Sequence, residues 1–176
     1  MDTDDAMLIE RSVRGRPDAF VEVVRRHDSA VHAFLARRAG RQAADDLLGE
    51  VWLRAFAARG GYDPARAGAR PWLYGIARNV LRAHWSARPG PAGVAGPESA
   101  DPWDEVVARL DSAAQVQTLV PALRALPVTE RDALLLVAWE QLTPAEAAVV
   151  LGVPQGTVRS RLHRARSVLR PLLEET

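Results

Sequence analysis

Thr143-Pro144-Ala145-Glu146-Ala147-Ala148-Val149-Val150-Leu151-Gly152-Val153-Pro154-Gln155-Gly156-Thr157-Val158-Arg159-Ser160-Arg161-Leu162-His163-Arg164-Ala165-Arg166 reads as two helices joined by a tight turn. Thr143 is placed to cap the first helix, Pro144 to occupy its first position, and Glu146 to complete a Thr-x-x-Glu capping box. Ala147, Ala148 and Leu151 give a short helix with a small-residue face, and Gly152 follows where a left-handed C-cap residue is wanted. Helical spacing resumes over 157–169, with Val158, Leu162, Ala165 and Leu169 on one stripe. The other faces carry Thr157, Arg159, Ser160, Arg161, His163, Arg164 and Arg166. The pattern is that of a helix-turn-helix.

An ordinary solvated helix mixes charge signs, with acids spaced to pair the cations. Between Ala147 and Pro171 there are five arginines and no acid, which predicts an unpaired cationic face suited to DNA.

Working outward, Pro127 breaks the chain just before this block. Thr129 with Asp132 predicts the cap of a helix running to Glu140 that buries Leu134, Leu135 and Val137 or Ala138. Pro171 predicts the stop of the last helix. Upstream, 103–111 and 115–126 read as helical segments. Residues 88–103 are rich in Pro and Gly and read as a linker, dividing the chain into helical domains over 1–87 and 104–176.

In the first of these, residues 4–14 predict a short helix ended by Gly15, and Pro17 and Asp18 open a longer one ended by Gly40. Phe20, Val23, Val24, Val31, Phe34 and Leu35 recur there at helical spacing. A helix over 43–59 predicts Leu48, Val51, Trp52, Ala55 and Phe56 buried, with Asp45, Asp46, Leu47 and Glu50 on its other side. After a Gly- and Arg-bearing loop, a helix over 71–87 puts Leu73, Ile76, Ala77 and Val80 inward. That leaves Tyr74, Arg78, Arg82 and Trp85 on a separate line. Rings interleaved with guanidinium groups suit unstacked bases and their phosphates, although half-buried amphipathic rings give the same pattern.

The wider composition agrees with an all-α fold. Ala, Leu, Val and Arg dominate the 176 residues, Phe, Tyr and Ile are scarce, and no strand pattern or internal repeat occurs. Net charge is only +1, but it is unevenly spread. Residues 54–88 hold seven Arg against one acid, and 98–132 hold seven acids against three Arg. With no cysteine, disulfides, thiol nucleophiles and Cys-based metal sites are excluded. The four histidines lie on separate predicted helices without ligand spacing, no Gly-rich phosphate loop occurs, and neither a cofactor nor a metal is expected. No apolar run approaches a membrane span and the acidic start does not resemble a signal peptide, so the expectation is a cytoplasmic protein without membrane insertion.

Two blocks then resemble one family. Leu126-Pro127, Glu130-Arg131, Leu142-Thr143, Glu146-Ala147-Ala148, Leu151-Gly152 and 156–166 resemble the second conserved domain of bacterial RNA polymerase sigma factors. Ala44-Asp45-Asp46-Leu47, 50–55, Trp72-Leu73 and 76–79 resemble the first. Two domains with a short linker are similar to the extracytoplasmic-function (group IV) subfamily.

The resemblance implies a non-catalytic promoter-specificity subunit that binds core RNA polymerase through its β and β′ subunits, with promoter DNA and an anti-sigma factor as partners. It assigns polymerase binding to Asp45, Asp46, Leu47 and Glu50. The −10 element falls to Arg70, Tyr74, Arg78, Asn79, Arg82 and Trp85. The −35 element falls to Thr157, Arg159, Ser160, Arg161, His163, Arg164 and Arg166, with Arg159, Ser160, His163 and Arg164 at base edges. The chain departs from the family at Pro154, where a hydroxyl cap is common. A stand-alone helix-turn-helix regulator is the competing reading. It predicts duplex binding without polymerase.

Overall fold

In the computed structural model the backbone of residues 2–87 and 121–174 is described, and the chain divides into two compact units, Met1–Ser99 and Ala100–Thr176. The described residues are helical with no strand, so the fold is all-α. None of their helices is long and apolar enough to cross a membrane. The segment expected as a linker (88–103) and the helix expected over 103–111 lie outside the described residues, as does the first half of that over 115–126.

The first unit contains α1 (Asp2–Val13), α2 (Ala19–Ala39), α3 (Arg41–Ala58), a single 3₁₀ turn (Arg59–Gly61) and α4 (Ala69–Ser86). Gly15 at φ +94° and Gly40 at φ +86° end α1 and α2, conformations an L side chain rarely adopts. Pro17 and Asp18 form the turn just before α2 rather than its first turn, and Arg16 pairs with Asp18 at 3.2 Å. That guanidinium holds the Asp18 carboxyl below the usual carboxylate range.

α2 packs on both α3 and α4. Its buried Phe20, Val23, Val31, Phe34 and Leu35 meet Val51 and Ala55 of α3 and Leu73, Val80 and Leu81 of α4 in one core. Trp52 sits at the edge of this core and donates its indole N–H to Asp28 at 2.9 Å, which satisfies its one polar atom. Helix α1 is held to α2 by charge as well as by the buried Ile9. Asp5 lies 2.7 Å from His27 Nε2 and 3.0 Å from Arg26 Nη1, and Asp4 reaches the same arginine at 2.7 Å.

The second unit contains a helical end at 121–125, α5 (Val128–Ala138), α6 (Pro144–Leu151) and α7 (Gln155–Glu174). Helix α5 starts two residues earlier than a Thr129 cap implies. Pro127 occupies the N-cap position in extended conformation, and its carbonyl takes the N–H of Glu130 and of Arg131. Ala133, Leu135 and Leu136 are buried there, while Leu134 and Val137 are partly so. Arg131 is fully buried and donates through Nη2 to the carbonyls of Arg124 and Leu126, both at 2.8 Å. It thus closes the end of the preceding helix, where carbonyls lack partners of their own.

The expected stop at Pro171 does not occur, because α7 runs on to Glu174. A proline there withholds one N–H, that due to the Ser167 carbonyl, and near a helix end one lost bond does not break the element.

Candidate nucleic-acid interface and acidic face

The helix-turn-helix is built almost wholly from local chemistry. Thr143 Oγ1 accepts from the Glu146 N–H at 3.2 Å, and a Glu146 carboxylate oxygen accepts from the Thr143 N–H at 2.7 Å, so the capping box is complete. At the other end Gly152 takes φ +67° and ψ +34°. The Gly152 N–H bonds to the Val149 carbonyl and the Val153 N–H to that of Ala148, the paired closure of a Schellman motif. The Pro154 carbonyl then accepts from Thr157 and Val158, opening α7 two residues before the expected start without any hydroxyl cap.

Val158, Leu162, Ala165 and Leu169 are buried beneath α7, as the spacing requires. Arg159, Ser160, His163, Arg164 and Arg166 are exposed on it, and Thr157 and Arg161 are half-buried. The helix itself carries no acid among these residues, but the expectation of five unpaired arginines fails. Arg164 Nη1 donates to Glu130 of α5 at 3.2 Å, and Arg170 is also engaged. Arg159, Arg161 and Arg166 have no ion pair among the described residues.

Helix α4 corrects the sequence at one point. Tyr74 is 2% exposed and its ring stacks on Phe34, with centroids 4.6 Å apart and planes 17° from parallel. On the far side of Phe34 the Arg38 guanidinium lies 3.7 Å from the ring centroid. Tyr74 therefore belongs to the core and cannot stack on a base. It aligns with buried Pro71, Ala77 and Leu81 at i−3, i+3 and i+7, so packing against α2 captures it. Of the other residues expected to meet the −10 element, Asn79 and Arg82 are exposed, while Arg70, Arg78 and Trp85 are half-buried. Trp72, beside them, packs its ring on Tyr62 at 5.1 Å.

On α3 the acidic face is present and its apolar member differs. Asp45, Asp46 and Glu50 are exposed, but Leu47 is 6% exposed, in line with buried Ala44, Val51 and Ala55. Leu47 is a core residue, so its side chain is not available to a partner. The exposed leucine is Leu53, at 75%. It stands at i+7 from Asp46 and i+3 from Glu50, and these three with Gly49, Arg54 and Ala57 line a shallow groove. That spacing was the signal in the sequence for Leu53. Glu50 is ion-paired with Arg54, and Asp45 accepts from His32 Nε2 at 2.8 Å, tying α3 to α2. Asp46 has no ion pair among the described residues. No group of three or more His, Asp or Glu that could hold a metal ion occurs among them either.

Comparisons with known proteins match both units. The family model described as Sigma-70 region 2 matches residues 23–88, and that described as Sigma-70, region 4 matches 117–169. The chain is 36% identical to the ECF RNA polymerase sigma factor SigM of Mycobacterium tuberculosis, over 96% of this chain and 84% of that protein. It is 35% identical to the RNA polymerase sigma factor CarQ of Myxococcus xanthus, over 95% and 96%. Among solved structures, CnrH in complex with the cytosolic domain of CnrY aligns at a TM-score of 0.67 and 26% identity, covering 98% of each chain. The sigma factor RpoE of Bartonella quintana, solved with the anti-sigma factor NepR, has the same fold at a TM-score of 0.59 and 22% identity, over 88% of this chain and 96% of that one.

Proposed function

We infer the work of each surface from one premise: the chain belongs to the extracytoplasmic-function group of the sigma-70 family of RNA polymerase sigma factors. It is a promoter-specificity subunit that binds core RNA polymerase, recognises −10 and −35 promoter elements and directs initiation. The observation that carries this function is the occurrence of both sigma regions, in order, in one chain. A stand-alone regulator needs only the second.

The residue assignments are proposals built on that premise. Asp46, Glu50 and Leu53 of α3 dock on polymerase, with Asp45 at the rim. An exposed leucine flanked by carboxylates suits a basic partner surface with an apolar centre. Arg70, Arg78, Asn79, Arg82 and Trp85 serve the −10 element, and Tyr74 supports their helix from inside. Arg159, Ser160, His163 and Arg164 reach −35 base edges in the major groove, with Thr157 flanking them and Arg161 and Arg166 nearer phosphate. Residues 88–103 link the domains. The protein works in the cytoplasm and has no catalysis of its own. Similar chains solved as complexes, CnrH with the cytosolic domain of CnrY and RpoE with the anti-sigma factor NepR, support an anti-sigma factor for this chain too.

The test is co-elution of the purified chain with bacterial core RNA polymerase by size exclusion, followed by run-off transcription. A stable complex that initiates at defined sites is expected. A folded chain that binds duplex DNA tightly yet never associates with polymerase would overturn the assignment.

A further inference from the structure

Glu130 is a carboxylate in an expensive place. Its side chain is 9% exposed, and buried charge persists only where a partner compensates it. Its position in the first turn of α5 favours a negative charge, but the direct partner comes from 34 residues further along the chain. That partner is Arg164 of α7, whose Nη1 sits 3.2 Å from Glu130 Oε1 while its side chain remains 63% exposed.

The surroundings make this contact more than a brace. Ser160, His163, Arg164 and Ser167 share one strip of α7, at i, i+3, i+4 and i+7. The hydroxyls of Ser160 and Ser167 donate back to their own helix, to the carbonyls of Thr157 at 2.9 Å and Arg164 at 2.8 Å. The longest side chains of the strip are His163 and Arg164. A guanidinium is planar, with five N–H donors in a rigid fork, and bidentate recognition of guanine requires that plane to be aimed. A carboxylate holding Nη1 from below aims it, and leaves Nε and Nη2 for an outside acceptor. It also offsets part of the arginine's charge, which weakens a grip on phosphate that any sequence would provide.

We propose that Glu130, which lies outside the polymerase, −10 and −35 residues assigned above, is a positioning residue for promoter reading: it orients Arg164 so that one base of the −35 element is discriminated. The proposal rests on the sigma-factor reading above. Two effects follow from removing the carboxylate. Base preference falls at the single position that Arg164 faces, and binding to arbitrary sequence becomes more salt-dependent.

The experiment uses the full chain reconstituted with core RNA polymerase and a promoter duplex library randomised across the −35 element. Glu130→Gln is expected to reduce the preference at one position about tenfold, within the range of one bidentate base contact, and to leave the other positions unchanged. For a random duplex, the slope of log affinity against log salt should steepen by about one, as for one added phosphate contact. Arg164→Ala should erase preference at the same position, and adding Glu130→Gln to it should change nothing further. Glu130→Asp keeps the charge but withdraws it by one methylene, so it should loosen the same position and carries the test if the Gln variant does not fold. Unaltered preference in the Gln and Asp variants, or an even loss at every position, would overturn the proposal. A wild-type chain that forms no complex with polymerase, or selects no −35 sequence, instead refutes the sigma-factor reading and takes this proposal with it.

Discussion

Helices α4 and α7 are both amphipathic and arginine-bearing, and they hold their cations in different ways. Helix α4 is pressed by α2 and α3 and buries a broad face, from Ala69 and Pro71 through Leu73, Tyr74, Ala77, Val80 and Leu81. What remains outward is a narrow strip, with Arg78 only half-exposed. Helix α7 rests on α5 and α6 through the thin stripe of Val158, Leu162, Ala165 and Leu169, and shows most of its circumference. The width of the buried face, rather than the number of arginines, sets how much of a helix is left for a polyanion.

The sharpest way to break this comparison is Tyr74→Ala. A buried, stacked ring should cost about 3–5 kcal/mol on truncation, read as a lowered urea midpoint. Unchanged stability with lost −10 melting would return Tyr74 to the DNA face. Next comes the acidic helix α3. Leu53→Asp or Asp46→Arg should weaken polymerase binding about thirtyfold, the ~2 kcal/mol of an interface hot spot, with the circular dichroism spectrum intact. Leu47→Asp should instead unfold the first unit, since its side chain is buried.

On the open helix, Arg159→Ala should lower −35-dependent transcription by about 1–3 kcal/mol of discrimination and leave polymerase association unchanged in a titration. An equal fall in both would merge two surfaces that the comparison keeps apart. The smallest effect is structural. Thr143→Ala removes one half of the capping box and should cost about 1 kcal/mol in thermal denaturation.

What was legible in the sequence follows the range of the chemistry. Thr143, Glu146 and Gly152 act within a few residues of themselves, so the capping box and the left-handed closure could be read directly. The faces of α3 and α4 could not. Leu47, Leu48, Val51, Trp52, Leu53, Ala55 and Phe56 place apolar groups around most of α3, and such a helix has no unique phase until its neighbours choose one. They chose Leu47 and left Leu53 outside, and for the same reason α4 drew in Tyr74. The buried Arg131 and the Glu130–Arg164 pair were illegible for another reason. Their partners are carbonyls and a guanidinium brought in by tertiary packing, and charged residues read as surface by default.

The turn at Gly152 is closed by main-chain hydrogen bonds, and α7 is seated by its buried inner stripe. The angle at which α7 is presented is thus independent of what its outer face spells. Selection can rewrite Arg159, Ser160 and His163 and obtain a new reader from the same mounting, without solving the folding problem again. A genome that duplicates such a chain inherits the bracket free of charge and has only the lettering to change.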